Sequence, residues 1–149
     1  MSLDDLYQEV ILDHFRKPRC QGCLSAPDAA ATLFNPLCGD QINLTVKSAD
    51  NSIQAIAFAG HGCSISQASA SMMAHLCQGK TLDEGRALIA SFKQMMRGEK
   101  QGDDLPELGD AAALQGVRRF SARVKCAMLC WEALEKCITS LAVEKSPEK

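Results

Sequence analysis

The chain has 149 residues, 18 acidic against 16 basic side chains, 46% hydrophobic and only 5% aromatic residues, and 8 cysteines. That near-balance of charge excludes a general nucleic-acid surface, and no apolar run approaches the roughly 18 residues a membrane span needs. The length suits a single domain, expected over residues 1–141 with 142–149 as a frayed tail, around a core of Ala, Leu, Ile, Val and Met. Acids within the amphipathic Met1–Phe15 stretch argue against a signal peptide, so a cytoplasmic location is expected. Disulfide frameworks are rare there, which directs some of the cysteines to metal, redox or nucleophilic use.

Residues 3–17 place Leu3, Leu6, Tyr7, Val10, Ile11, His14 and Phe15 on one helical stripe, with Ser2 able to cap its start and Pro18 ending it. Residues 19–28 read as a loop and 29–34 as a short edge strand. Over 41–47, Ile42, Leu44 and Val46 alternate with polar residues, the mark of a half-buried strand. Ser48–Ser52 is turn-forming, and a strand over 53–59 should pair antiparallel with its predecessor. A Ser/Ala-rich helix over 64–77 comes next, then one over 81–97 opened by the Thr81-x-x-Glu84 capping box. Residues 98–104 read as a mobile polar loop and 107–114 as a short helix. The last helix, 122–141, turns Val124, Ala127, Met128, Trp131, Leu134, Ile138 and Leu141 to the core. Strands first and helices after read as α+β.

Four residues carry the chemistry. Cys38-Gly39-Asp40 sets a thiol and a carboxylate on a glycine-centred turn that lets both point one way. Cys63, after Gly60-His61-Gly62, opens a helix, where unpaired N–H groups favour a thiolate. Cys126 follows Arg118, Arg119, Arg123 and Lys125, whose positive charge should also favour thiolate. Three thiolates and a carboxylate suit a tetrahedral metal such as zinc and leave two surplus negative charges that Arg123 or Lys125 could offset. The alternative is three buried small hydrophobes and a turn aspartate, since free Cys is commonly buried and no C-x-x-C pair anchors this set.

Asn35-Pro36-Leu37-Cys38-Gly39-Asp40, then Gly60-His61-Gly62-Cys63-Ser64-Ile65-Ser66 running into Ala68–Met73, and Arg123-Val124-Lys125-Cys126-Ala127 resemble the U-type iron–sulfur cluster assembly proteins (the SufU/IscU, NifU N-terminal-like family). The opening Leu6-Tyr7 through Arg19 is similar to the family's first helix. The resemblance covers roughly residues 3–141 and implies a SufE/NifU-like fold, a small antiparallel sheet of about three strands with helices packed against it. Lys125, where the scaffold branch has histidine, and the extra stretch around 95–115 are similar to the zinc-binding SufU branch. That branch implies zinc on Cys38, Asp40, Cys63 and Cys126, with Cys38 accepting sulfur from a cysteine desulfurase (SufS-like) and Arg123 as a charge partner. The sulfur would pass to downstream iron–sulfur assembly machinery, with no nucleic-acid or membrane partner. Ser121 departs from the pattern, standing where proline is common. The rival is a scaffold holding iron or a transient [2Fe–2S] cluster on Cys38, Cys63 and Cys126; a purely structural zinc is a third reading.

Other residues read more plainly. Cys20-x-x-Cys23 is expected to be a pair of partly exposed loop thiols, while Cys77, Cys130 and Cys137 fill core; Cys130 could reach the site if its helix begins early. His61 should point away from Cys63, and His14 reads as a hydrogen-bonded helix residue. The acids Glu99, Asp103, Asp104, Glu107 and Asp110 read as a solvated loop.

Overall fold

The computed structural model describes residues 3–145, with side chains from 5 to 142, so Ser2, the side chain of Leu3 and tail residues 146–149 lie outside the described residues. Its elements are helix α1 (Leu3–Arg16), strands β1 (Ala29–Asn35), β2 (Asp40–Ala49) and β3 (Ser52–His61), and helices α2 (Ser64–Cys77), α3 (Leu82–Met96) and α4 (Ser121–Lys145). The strands form one antiparallel sheet in the order β1–β2–β3, giving the expected α+β architecture. Among the described residues no helix is long and apolar enough to cross a membrane.

Alternation along β2 buries Ile42, Leu44 and Val46 to at most 1% exposure. Along β3 the large buried side chains are Phe58, Ile56 and Ile53, a spacing that period 2 alone does not produce. A bulge supplies the shift: Lys47 pairs with Ala55 but Ser48 pairs with Ile53, which leaves Gln54 exposed and returns Ile53 to the core. The hairpin between β2 and β3 turns on Asp50 and Asn51, both with positive φ (53° and 62°), the geometry whose twist matches a two-residue connection.

Small residues of α2 let α4 come close. Ser69, fully buried, donates to Ala127 O at 2.7 Å and accepts from Trp131 Nε1 at 3.1 Å, so the indole N–H is satisfied inside the core. Trp131 also stacks on Phe92 of α3, centroids 4.3 Å apart and 9° between planes. α4 lies across β1 and β2, and α2 packs against β3, α4 and α1. The capping box of α3 forms as expected: Thr81 Oγ1 accepts from Glu84 N (3.0 Å) and Glu84 Oε1 from Thr81 N (2.9 Å).

Several expectations need correction. Leu6 and Phe15 are 47% and 42% exposed, because α1 packs mainly against α2 and the segment before α4; its buried face is the narrower row Tyr7, Val10, Ile11 and His14. α4 begins at Ser121 and continues through Lys145, one residue before and four beyond the expected 122–141. Segment 98–104 is pinned. Its 3₁₀ turn, Gly102–Asp104, is fixed by Gly102 N donating to Gln115 Oε1 (3.0 Å), and Arg118 donates to Met95 O (3.1 Å) and Gln101 Oε1 (3.0 Å). In place of a helix over 107–114 there is a 3₁₀ run, Pro106–Arg119, kinked where Gly109 leaves helical space (φ 52°, ψ −130°). Glu99, Asp103, Asp104, Glu107 and Asp110 are exposed as expected, and two of them also have partners: Glu107 accepts from Ser91 (2.8 Å), and Asp110 pairs with buried His14 (2.9 Å), whose Nδ1 meets Ser71 Oγ (2.8 Å). The loop after α1 is partly zipped to β3, with Gly22 N donating to Phe58 O (2.7 Å) and Phe58 N to Cys20 O (2.9 Å).

Trp131 is the single tryptophan, so its fluorescence reports on the core directly. Phe92→Ala removes the stacked ring at a position with 0% exposure and is expected to lower unfolding stability by about 3–5 kcal/mol. Urea titration followed at Trp131 checks this; a loss under about 1 kcal/mol would mean that the core collapses into the space.

Candidate metal centre

The site grows from a hairpin. β1 ends at Asn35 and β2 starts at its partner Asp40, so residues 36–39 form a tight connection in which Cys38 N donates to Asn35 O (3.3 Å). Gly39 takes the left-handed φ (68°) that lets the chain bend between Cys38 and Asp40. Asp40, 2% exposed, turns its carboxylate across the sheet end to the start of α2. Its Oδ1 accepts from Cys63 N (2.9 Å) and Ser66 Oγ (3.1 Å), and its Oδ2 from Asn35 Nδ2 (3.2 Å). This approach requires glycine at 62: a Cβ there would overlap Asp40 Oδ1 and stand 2.6 Å from Ser66 Oγ. Gly60 has a parallel reason, because a Cβ would overlap the Gln41 carbonyl of β2.

Around this carboxylate gather the thiols. Ligand atoms of Cys38, Asp40 and Cys126 lie within 4.8 Å of one another, with Cys126 Sγ 3.0 Å from Cys38 Sγ. Cys63 does not join that group. It is the N-cap of α2, and its Sγ accepts from Ser66 N at 3.4 Å, while it remains close enough to interact with Asp40, Cys126 and Arg123. Three of the four expected ligands are therefore together and the fourth stands at their edge. Tetrahedral donors about 2.3 Å from an ion lie about 3.8 Å from one another, so this thiol–carboxylate set fits a zinc-sized cation with a small rearrangement.

The electrostatics depart from expectation at Cys126. Burial pushes its thiol upward, and contacts with Cys38, Asp40 and Cys63 push the same way, so the local basic run does not favour its thiolate. The reason is where those bases go. Arg118 is bound to backbone carbonyls, Arg119 lies over the Phe120 ring (5.7 Å), and Lys125 is exposed. Only Arg123 faces the thiols; burial opposes its charge, but Cys63 and Cys126 outweigh that and raise its pKa. Its Nε is buried without a hydrogen-bond partner. At Asp40 burial raises the carboxyl, yet the bonds from Cys63 N, Cys126 and Ser66 prevail and hold it below the ordinary carboxylate range.

Of the remaining candidates, Cys77, Cys130 and Cys137 are buried core residues; Cys130 faces Ser69 (3.4 Å) rather than the site, although α4 does begin early. His61 is exposed, and Cys20 turns its thiol to Gln78 (3.9 Å). Sequence reasoning gave no role to Asn35 or Ser66, which orient the ligand side chains. A signal for Ser66 exists in the Cys63-x-x-Ser66 spacing, which joins N-cap to the third helical residue; Asn35 acts across sequence and leaves no such mark.

A three-stranded antiparallel sheet backed by helices, with thiols and a carboxylate meeting where a hairpin turn faces a helix start, defines a small α+β thiol–carboxylate protein. The chain belongs to the NifU-like N-terminal domain family, which matches residues 6–127. Over 135 residues it is 47% identical to the zinc-dependent sulfurtransferase SufU of Bacillus subtilis strain 168, covering 91% of this chain and 90% of that protein. Over 137 residues it is 44% identical to the iron–sulfur cluster assembly scaffold protein IscU of Streptococcus pyogenes serotype M1, covering 92% and 85%. The crystal structure of a nitrogen-fixing NifU-like protein (N-terminal) from Brucella abortus superposes with a TM-score of 0.83 at 30% identity, over 97% of this chain and 100% of that one.

Two outcomes follow from this geometry. Gly62→Ala should displace Asp40 and weaken zinc binding about tenfold or more, measured by competition with a chromophoric chelator; unchanged affinity would show that the approach to α2 is dispensable. In metal-stripped protein at about pH 8, iodoacetamide should modify Cys23 and Cys38 well before the buried thiols. Burial pushes Cys77 and Cys130 up to about 12 and Cys137 to about 11, so their thiolates become abundant only as pH rises toward those values. Peptide mass mapping against time reads the order.

Proposed function

We propose that this chain accepts persulfide sulfur from a cysteine desulfurase (SufS-like) and passes it into iron–sulfur cluster assembly, through one domain spanning residues 1–141 that binds zinc on Cys38, Asp40, Cys63 and Cys126. The observation that carries this reading is the half-buried Cys38 thiol, placed on a surface turn with Asp40 and Cys126 in ligand range. The likeness to a zinc-dependent sulfurtransferase supports zinc and transfer. A reducing cytoplasmic setting would keep the thiols available.

When bound, zinc supplies a Lewis acid that keeps cysteines as thiolates without redox change of its own. Cys38 Sγ attacks the outer sulfur of the donor's persulfide. A bond forms between Cys38 Sγ and that sulfur, the donor's S–S bond breaks, and the donor cysteine leaves as thiolate. Asp40 and Cys126 remain behind Cys38, and Arg123 offsets the negative charge that three thiolates and a carboxylate concentrate. Leu37, next to Cys38 in the chain and 74% exposed, offers an apolar surface against which a partner can exclude water from the transfer.

The 44% likeness to a named scaffold supports a second reading, in which a [2Fe–2S] cargo is built on Cys38, Cys63 and Cys126 and handed to apo-proteins. Metal analysis of protein purified without added metal separates zinc from iron. Sulfide production by a desulfurase should rise on adding the wild type and stay at its basal level with Cys38→Ala. Stimulation retained in that variant removes Cys38 from the role. Anaerobic reconstitution giving a stable, stoichiometric cluster spectrum favours the scaffold instead.

A further inference from the structure

The spacing of Cys20-x-x-Cys23 marks that pair for disulfide chemistry, but the fold turns Cys20 to Gln78 and leaves Cys23 exposed. The thiols brought together are Cys38 and Cys126, 88 residues apart and 3.0 Å between sulfurs. We propose that Cys126 is a resolving thiol: once Cys38 carries a sulfane sulfur, Cys126 attacks Cys38 Sγ, closes a Cys38–Cys126 disulfide and expels the outer sulfur as sulfide. This rests on the relay reading above and requires Cys126 to leave the metal that reading places on it.

The step balances. Cys38–S–SH and the Cys126 thiol give the disulfide and hydrogen sulfide; the Sγ–Sγ bond forms, the bond from Cys38 Sγ to the outer sulfur breaks, and that sulfur leaves with the bonding pair and a proton. A sulfane sulfur stands two electrons above sulfide, and the two cysteines supply those electrons. Regeneration then requires a dithiol reductant, which takes the disulfide by exchange. The reaction consuming this protein's oxidised form is therefore a dithiol–disulfide exchange, and it begins at the Cys38 half, because Cys126 is 0% exposed.

The surroundings favour attack at the inner sulfur. Cys126 is fixed on the second turn of α4, buried, with Asn35 Nδ2 donating to its Sγ at 3.4 Å. Cys38 rides the 36–39 connection, and Gly39 beside it meets nothing within 4 Å of where a Cβ would be. Only roughly 1 Å separates the present contact from a bond of about 2.05 Å. Attack on the outer sulfur would only move it to a buried cysteine with no route to an acceptor.

Protein as purified is persulfidated with inorganic polysulfide, desalted, and held in thiol-free buffer while intact mass and free sulfide are followed. The mass gain of one sulfur at Cys38 should give way to a loss of two hydrogens relative to the reduced chain, with one sulfide released per chain. The digest should contain a Cys38–Cys126 linked peptide, and a dithiol should restore the starting mass. Cys126→Ser should keep the added sulfur and release none. A persulfide that persists on wild-type Cys38, or a disulfide at Cys20–Cys23 in its place, overturns the inference and leaves the relay standing. No sulfur on Cys38 at all removes the relay reading as well. Should Cys126→Ser fail to fold, the linkage and sulfide yield in the wild type decide alone.

Discussion

The Asp40 carboxylate joins the two halves of the site. It leaves the start of β2, crosses the space above Gly62 and accepts from the Cys63 amide and the Ser66 hydroxyl at the head of α2. An anion at a helix N-terminus meets unpaired N–H groups and the favourable end of the helix dipole, so this contact holds the hairpin turn against the helix. Because Cys38 is two residues before Asp40 and Cys63 is the N-cap itself, the bridge also sets how far apart those thiols stand. The glycine at 62 is what gives the carboxylate room. Any side chain there would push the turn and the helix start apart.

The third thiol arrives by packing. Cys126 is carried on α4, and α4 is seated by Ser69, which bonds Ala127 O and Trp131 Nε1, and by the stack of Trp131 on Phe92. Small residues on α2 permit that approach. Core and centre are thus coupled: the contacts that bury Trp131 also bring Cys126 to Cys38. Burial has an electrostatic consequence, since the same low-dielectric setting that raises the Cys126 thiol makes a neighbouring positive group count for more. Arg123 is the cation that faces these thiols, whereas Arg118 is committed to holding the 98–104 segment in place.

Much of the fold was legible because its signals are local. Alternation along 41–47, the Thr81-x-x-Glu84 box and the helical stripe around Trp131 each report on residues within a few positions of one another, and each element formed where it was expected. Local signals did not reach the places where a distant partner decides. Gln54 became the bulged residue because of its pairing with β2; Asp110 found His14 across 96 residues; Gly102 found the side chain of Gln115. The charge run before Cys126 misled for the same reason. Adjacency in sequence places Arg118, Arg119 and Lys125 near Cys126, but successive helical and 3₁₀ residues point in different directions, and only Arg123 turns toward the sulfurs.

The amino-acid order by itself determined the class of the protein, its strands and helices, and the residue types able to bind a soft cation, because propensity, periodicity and ligand chemistry are properties of short stretches. Tertiary structure alone decided which donors meet. It set Cys38 and Cys126 in contact, kept Cys63 at the rim as a helix cap, and recruited Asn35 and Ser66 to orient the rest. Those outcomes depend on how β1, α2 and α4 pack, and packing is the sum of many weak contacts between residues far apart in the chain.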